Sequence, residues 1–210
     1  MEIVRLRHEQ IPQAGAVLAR AFQDDPAWVW VIPDPERRAR ALPWLFQLGF
    51  ELLEAELWTN VGTMAGCARW LPPGRARVRV WPSLRATFGT PMRLREATSR
   101  FLAYGRAVDH LRRLAVPVPH WYLAGIGVEP TERRRGIGGA LLTPGIEAAE
   151  RAGIPCALLT NAEENISFYA GHGFVTIREG ETPAGGPHAW VMVRQPARRS
   201  ARRLSLDSRP

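Results

Sequence analysis

The chain has 210 residues and a formal net charge of +8, from 28 Lys+Arg against 20 Asp+Glu, and it contains no lysine. With 46% hydrophobic residues, 8 tryptophans and only 2 cysteines, it is neither a disordered chain nor a disulfide scaffold. No uncharged apolar run approaches the roughly 18 residues that a membrane helix needs, so we expect a soluble protein with one main domain.

Half of the positive excess lies at the end of the chain. From Pro196 onward there are five arginines and one acid, a net charge of +4 in 15 residues. Such a segment has little to bury, so we expect a folded domain over 1–195 and a disordered, Arg-rich tail over 196–210. A phosphate-binding arm is the alternative interpretation of the tail. The folded part is only mildly basic, and nucleic acid is not its expected partner.

The opening residues carry charges where a signal peptide needs an apolar stretch, so a cytoplasmic location is expected. Cys67 and Cys156 each lie in an apolar stretch, as small buried hydrophobic residues do. Neither a disulfide nor a metal site is expected from them.

Apolar periodicity predicts helices and strands that alternate along the chain. The first elements are a strand over 3–6 and a helix over about 9–23, which the Asp24-Asp25-Pro26 sequence ends. A second amphipathic helix follows, with Asp34 as its cap. Pro43 is expected to bend or split that helix.

The middle of the chain predicts a hairpin, an irregular region and a long helix. The hairpin strands lie over 57–60 and 64–71, and the residues from 72 to about 92 are rich in Pro, Gly and Arg. From 93 to 114 the apolar residues follow the spacing of one helix face. The strand over 121–128 is almost continuously apolar, which is typical of a strand buried on both faces.

The most informative stretch consists of that strand, a loop rich in arginine and glycine, and a helix from Ala140. Amides at a helix start point one way, and the helix dipole favours anions there. Glycines let a phosphate approach the backbone closely. We therefore predict a phosphate-binding loop, although a solvated arginine run that caps an ordinary helix is the alternative. The loop residues are Arg133, Arg134, Arg135, Gly136, Ile137, Gly138 and Gly139.

Two known phosphate motifs do not fit this loop. The third glycine of the dinucleotide fingerprint and the Lys-Ser/Thr pair of a P-loop are both missing. The segment from Arg133 to Gly138 instead resembles the acetyl-CoA diphosphate loop of the GCN5-related N-acetyltransferases (GNAT). A second signature of that family, Asn-x-x-Phe-Tyr-x-x-x-Gly-Phe, is matched from Asn165 to Phe174.

From 121 to 194 the chain is similar to the puromycin N-acetyltransferase-like subgroup of that family. The resemblance implies a single domain of mixed α/β class, with a splayed, mostly antiparallel twisted sheet and helices on both faces. It also implies acetyl-CoA as the cofactor, with the diphosphate on the loop and Asn165 near the amides of the pantetheine arm. The parallel strands would splay near Gly127, leaving backbone groups for the arm at Ile126, Gly127 and Val128.

The resemblance further implies that Tyr169 is the general acid that assists departure of the thiolate. A tyrosine packed in the core beside Phe168 and Phe174 is the alternative. The general base stays open, because relatives of the puromycin type carry a glutamate where this chain has Leu159. Four other residues are candidates for the base: Tyr122, His120, Asp24 and Asp25.

The expected function is acetyl transfer from acetyl-CoA to the amine of a small antibiotic-like or metabolite-like molecule, by direct attack in a ternary complex. The acceptor pocket is expected to be rich in tryptophan (Trp28, Trp30, Trp44, Trp81 and Trp190), which suits a ring-bearing amine. An alternative is an acyl-CoA-binding regulatory or nucleic-acid-binding protein with little or no turnover. The family commonly forms dimers, so a homodimer is compatible with this hypothesis, whereas a membrane partner is not expected.

Overall fold

Strands and helices alternate along the chain in this computed structural model, which describes residues 1–52, 54–74, 89, 92, 94–182 and 185–197. Short 3₁₀ turns lie at His8–Gln10 and Pro130–Glu132. The strands are β1 (Ile3–Arg5), β2 (Glu56–Asn60), β3 (Gly66–Leu71), β4 (Trp121–Val128), β5 (Cys156–Thr160), β6 (Val175–Glu181) and β7 (His188–Arg194). The helices are α1 (Ile11–Ala21), α2 (Pro26–Val31), α3 (Pro35–Leu52), α4 (Ala97–Ala115), α5 (Ile137–Ala152) and α6 (Glu164–Ala170).

The strands form one sheet in the order β1-β2-β3-β4-β5-β7-β6. Every neighbouring pair is antiparallel except β4 and β5, which are parallel. This arrangement confirms the expected fold class, a mixed α/β domain with a mostly antiparallel sheet. None of the helices in the described part of the chain is long and apolar enough to cross a membrane.

The two parallel strands pair over only three residues, and the sheet opens beyond them. Trp121, Tyr122 and Leu123 pair with residues 156–158, whereas β4 continues to Val128 without β5 beside it. The sequence placed this splay near Gly127, but pairing already ends at Leu123. The described half of β4 beyond Leu123 therefore has one free edge.

A β-bulge marks the point where the strands diverge. On β3, Trp70 pairs with Leu123 and Arg69 pairs with Gly125, so Ala124 is the extra residue of β4. Ala124 is exposed. The expectation of a strand buried on both faces is therefore wrong at Ala124, whereas Gly127 is buried under α1 and Ile126 and Val128 are half-buried on the opposite cluster.

Helices cover both faces of the sheet, as expected. On one face α5 and α6 pack on a large apolar cluster that includes Trp70, Leu123 and Leu158. The Trp70 ring lies so close to α5 that a Cβ added to Gly145 would be 2.2 Å from it. On the other face α1 packs on Cys67, and the end of α4 packs near Tyr122.

Several local predictions are confirmed and three need correction. Asp34 caps α3 through a 2.7 Å hydrogen bond from the Arg37 amide, and both cysteines are free and buried. However, α3 runs through Pro43 as one helix, α5 begins at Ile137 instead of Ala140, and α2 was not predicted at all.

Two sequence predictions concern residues outside the described part of the chain. The irregular region predicted from 72 to about 92 falls mostly on residues 75–88, 90 and 91, and most of the predicted tail falls on 198–210. The last described residues lie near Glu150, which accepts a hydrogen bond of 2.8 Å from the Ala197 amide.

Candidate active site

The loop between β4 and α5 presents a run of backbone amides with no protein acceptor. Arg134 and Gly136 adopt positive φ angles of 61° and 80°, which curl the chain into the helix. The Ala140 amide, which donates to the Gly136 carbonyl at 3.0 Å, is the first in this stretch with an acceptor. Within the described chain, the amides of 133–139 donate to no protein oxygen. The loop thus forms a concave set of donors at the positive end of the α5 dipole.

The three loop arginines have different environments. Arg133 donates to the Ala21 carbonyl at 3.0 Å, which ties the loop to α1, and Arg135 forms an ion pair with Glu132. Arg134 is exposed and forms no ion pair with any described residue. Its guanidinium is therefore the one in this loop that is available to an anion.

Packing explains two of the loop glycines independently of any ligand. A Cβ added to Gly138 would lie 3.2 Å from the Phe168 ring, and one added to Gly139 would lie 2.8 Å from His172 Nε2. His172 is held by its Nδ1, 2.8 Å from the Phe168 carbonyl oxygen. The second family signature thus packs directly on the first turn of α5.

The two glycines of β4 have different roles. A Cβ added to Gly127 would be 2.7 Å from Leu18 Cδ2 and 2.8 Å from Ala21 Cβ, so Gly127 lets α1 approach the sheet. A Cβ added to Gly125 would meet no atom of the described residues within 4 Å. Among those residues, space is therefore open above the bulge, on the face that carries α1. Ile126 and Val128 pack toward the opposite face.

Tyr169 and Asn165 lie on α6, beside the opening of the sheet. The Tyr169 ring is buried, with centroids 5.1 Å from Phe168 and 6.1 Å from Phe174, so the core-packing role is present. Its hydroxyl has no hydrogen-bond partner among the described residues, and burial, followed by the charge of Asp25, raises the pKa of Tyr169. Asn165 is exposed in the first turn, and its side chain has no described partner. Tyr169 can therefore be both a packed ring and a hydroxyl that stays protonated.

Asp25 is the base candidate whose environment is most unusual. It caps α2 by accepting a 3.0 Å hydrogen bond from the Ala27 amide, and burial raises the pKa of its carboxyl to about 6. Its charge in turn raises the pKa of Tyr169 on α6 and of Tyr104 on α4. The charge of Asp25 therefore acts on both hydroxyls. Its neighbour Asp24, in contrast, is exposed.

The other candidates are less suited to accept a proton at neutral pH. Burial raises the pKa of Tyr122 to about 12, and the Arg112 guanidinium lies over its ring at 5.2 Å. Burial lowers the pKa of His120, and its two ring nitrogens already have protein neighbours, because Nδ1 lies 2.7 Å from the Val118 carbonyl oxygen and Nε2 lies 3.4 Å from Arg112 Nη1. Leu159 packs beside Tyr122 on the same apolar cluster, where it supplies no proton acceptor.

Sequence reasoning missed a polar chain that links α4 to β7 at the end of β5. The Tyr104 hydroxyl donates to Asn161 Oδ1 at 2.5 Å, and Asn161 Nδ2 donates to the His188 carbonyl at 2.7 Å. Asn161 is buried directly after β5. In the sequence, Tyr104 fits the apolar spacing over 93–114 that predicts α4, and nothing local marks it as a hydrogen-bond donor. A polar residue that follows a buried strand was the signal that could have indicated this network.

An aromatic cluster stands on the same side as Asp25. Trp28 stacks on Phe101 with centroids 6.0 Å apart and meets Phe46 edge-on at 5.5 Å. Trp28 and Trp30 thus belong to an aromatic wall that α2, α3 and α4 supply. Its use as the acceptor pocket stays a prediction. Trp81 lies outside the described residues.

Comparison with known families decides what this arrangement is. The sequence model of the acetyltransferase (GNAT) family matches residues 22–174, which include the loop, the splayed strands and α6. The chain belongs to the acetyltransferase (GNAT) family. As a GNAT protein, it is an N-acetyltransferase with acetyl-CoA as its acetyl donor.

Solved structures of similar fold agree with this assignment. One is a Corynebacterium glutamicum protein described as histone acetyltransferase HPA2 and related acetyltransferase, with 23% identity, a TM-score of 0.67, and coverage of 94% of this chain and 97% of that chain. The Escherichia coli ribosomal-protein-S18-alanine N-acetyltransferase has 17% identity, a TM-score of 0.52, and coverage of 96% and 97%. Arylalkylamine N-acetyltransferase 2 from Aedes aegypti has 13% identity, a TM-score of 0.56, and coverage of 92% and 98%. At these identities the likeness concerns the fold.

Proposed function

We propose that this GNAT protein acetylates the amine of a small antibiotic-like or metabolite-like molecule, by direct attack within a ternary complex. The observation that carries the proposal is the run of unpartnered amides over 133–139, placed beside the opening between β4 and β5. Free amides at the start of a helix suit a diphosphate, and an open strand edge suits an extended arm that pairs like an added strand.

The proposed cofactor contacts follow from which groups are free. The amides of 133–139 and the Arg134 guanidinium would hold the diphosphate. The free edge of β4 would pair with the pantetheine arm through backbone groups at 126–128, and Asn165 would reach its amides. Bound acetyl-CoA supplies the activated thioester.

Two residues of the chain would assist the reaction, one beside the departing sulfur and one beside the acceptor amine. The amine nitrogen forms a bond to the thioester carbonyl carbon as the carbon–sulfur bond breaks. Tyr169, whose raised pKa keeps its hydroxyl protonated, would donate a hydrogen bond to the departing sulfur. Asp25, which ionises at about pH 6, would pair with the acceptor ammonium and accept its proton.

The proposal also covers the subgroup of the family, the domain bounds and the cellular location of the protein. The match from 121 to 194 supports membership of the puromycin N-acetyltransferase-like subgroup, although Leu159 replaces the glutamate of that subgroup. We include in it a catalytic domain over 1–195, a separate Arg-rich tail and a cytoplasmic location. The aromatic wall around Trp28 supports a small ring-bearing acceptor.

A pair of matched glycine variants tests the cofactor loop. Gly136 and Gly153 lie at opposite ends of α5, with φ angles of 80° and 66°, and an added Cβ meets nothing within 4 Å at either position. Gly136→Ala and Gly153→Ala therefore carry similar backbone strain, about 1 kcal/mol each.

We expect calorimetry to show coenzyme A binding that Gly136→Ala weakens at least tenfold and Gly153→Ala leaves within about twofold. Pantetheine, which lacks the diphosphate, should bind both variants alike. Equal losses of coenzyme A affinity in the two variants, or no heat with the unaltered protein, would remove the loop from the proposal.

A further inference from the structure

Arg69 in β3 is a cation with no counter-ion in the described chain. Its Nε is buried and has no hydrogen-bond acceptor, and its side chain takes part in no ion pair there. Burial lowers the pKa of Arg69 only to about 10, so the guanidinium is charged at neutral pH. Residues 75–93, which follow β3 closely, contain five arginines and no acid, so their sequence offers no carboxylate either.

The register of the sheet places Arg69 on the acceptor face. Side chains alternate along β3, and Cys67, two residues earlier, packs on α1 with its sulfur 3.5 Å from the Ala14 carbonyl oxygen. Arg69 is therefore on that same face, where its Nη1 would be 3.3 Å from a Cβ added to Gly49 of α3. It also lies within electrostatic range of Tyr122.

Arg69 stands directly across from the open space of the site. It pairs with Gly125 on β4, the glycine above which a Cβ would meet nothing within 4 Å. Neighbouring strands are about 4.8 Å apart, so the backbone of Arg69 lies beside the bulge at Ala124, where β4 parts from β5. Its side chain leaves the sheet on the face of Gly125 and extends toward Gly49 of α3.

The buried Nε of Arg69 lowers the stability of the fold, because desolvation of this donor is not offset by a hydrogen bond. A carboxylate is the group that best offsets this cost. Its two oxygens match the planar Nε and Nη donors of one arginine and neutralise a single charge.

We propose that Arg69 binds a carboxylate of the acceptor, so that the substrate is an amine that also carries a carboxylate group. This inference rests on the proposed N-acetyltransferase function. Asp25 would take the amine end of such a molecule and Arg69 its acid end, with the aromatic cluster of Trp28, Phe46 and Phe101 beside them.

The test compares acceptors that differ only by the carboxylate. Thiol release from acetyl-CoA is measured with phenylalanine against phenethylamine, tryptophan against tryptamine, and 4-aminobutyrate against propylamine. The proteins are the unaltered chain, Arg69→Met, Arg69→Lys and the control Arg5→Met, which removes an exposed arginine that pairs with Glu56.

We expect at least one acid to exceed its matched amine about 30-fold in kcat/KM with the unaltered chain. Arg69→Met should lower kcat/KM for the acid about 100-fold, mainly by raising KM, and change that for the amine less than threefold. Arg69→Lys should recover part of the loss, and Arg5→Met should show none. Thermal unfolding of Arg69→Met should occur at the same or a higher temperature, whereas a purely structural role would lower it.

Two results would overturn the inference: amines that react as well as their acids, or an Arg69→Met variant that slows both alike. If no acceptor in the panel reacts, calorimetry with 3-phenylpropanoate and 3-phenylpropanamide in the presence of coenzyme A decides the question. Binding of the acid alone, lost in Arg69→Met, supports the inference, and no binding of the acid contradicts it. Failure to bind acetyl-CoA would instead count against the proposed function, and the 3-phenylpropanoate measurement would still test Arg69.

Discussion

The proposed cofactor side and the proposed acceptor side of this site are built in opposite ways. The cofactor side comes mainly from one continuous stretch, in which β4, the loop over 133–139 and α5 follow each other directly. The acceptor side gathers Asp25, Arg69 and Tyr104 from three separated parts of the chain. A site made from one continuous stretch can be recognised from the sequence. A site whose residues come from separated parts of the chain can be recognised only in the folded structure.

The two sides also differ in how tightly they are packed. Trp70 under α5 is fully buried, at 0% relative exposure, in the largest apolar cluster. Trp28 and Phe101 on the proposed acceptor side are half-buried and stack on each other at the edge of a smaller cluster. We therefore expect the cofactor side to contribute more to stability and the acceptor side more to selectivity.

Truncation of one tryptophan on each side is the strongest test of this contrast. Trp70→Ala should lower the free energy of unfolding by about 3 to 5 kcal/mol, because it leaves a cavity between β3 and α5. Trp28→Ala should cost less than half as much and should raise KM for the acceptor instead. Urea denaturation and steady-state kinetics measure the two effects. Equal losses of stability would show that the sides are packed alike.

The buried carboxyl of Asp25 gives the next largest effect, and its sign depends on pH. Its pKa rises from 3.8 to about 6 on folding, so the stability that its protonated form contributes is complete below pH 4 and is lost as pH rises through 6. Asp25→Asn keeps a capping oxygen and should therefore stabilise the protein at pH 7.5 by up to about 3 kcal/mol, with no gain at pH 4.

Asp24→Asn is the control, because Asp24 is exposed next to Asp25. Chemical denaturation at the two pH values measures all three proteins. A gain for Asp25→Asn that is the same at both pH values would mean that ionisation of this carboxyl is not its cause.

The two tyrosines that respond to the charge of Asp25 should separate chemistry from acceptor binding. Tyr169→Phe removes the proposed donor to sulfur and should lower kcat about 100-fold with little change in coenzyme A affinity. Tyr104→Phe removes the donor to Asn161 and should mainly raise KM for the acceptor. Thiol-release assays over a range of acceptor concentrations distinguish the effect on kcat from the effect on KM. Unchanged turnover in Tyr169→Phe would leave this residue with its packing role alone.

The smallest expected effect distinguishes two adjacent arginines on the cofactor side. Arg134→Met should weaken coenzyme A binding about tenfold, or about 1.4 kcal/mol, because Arg134 has no described counter-ion. Arg135→Met should weaken it less than threefold, since Glu132 already neutralises Arg135. The loss in Arg134→Met should shrink at high salt. Calorimetry that finds the reverse order would mean that the ion pair opens when the cofactor binds.

The sequence was most informative where neighbours in the chain are also neighbours in space. The β4–loop–α5 unit, the β2–β3 hairpin and the face of α4 all follow from local periodicity and turn residues. No local pattern explains why residues 145 and 127 are glycines. Gly145 leaves room for the Trp70 ring of β3, and Gly127 leaves room for two side chains of α1.

The acceptor side shows the same limit. Asp25 was one of four candidates for the base, and only its burial beside two tyrosines singles it out. Arg69 was one of 28 cations, and its lack of a counter-ion follows from the register between β3 and β4. The point where β4 leaves β5 was misplaced, because the bulge at Ala124 depends on pairing between distant segments.

The close approach between the Trp70 ring and Gly145 has a geometric consequence for the donor. It holds α5 close to β3, and α5 follows the loop proposed for the diphosphate, whereas β4 carries the free edge proposed for the pantetheine arm. A larger residue at 145 would push the helix outward and lengthen the distance between these two proposed contacts. We expect such a change to penalise acyl carriers with arms of the usual length more than it penalises longer ones.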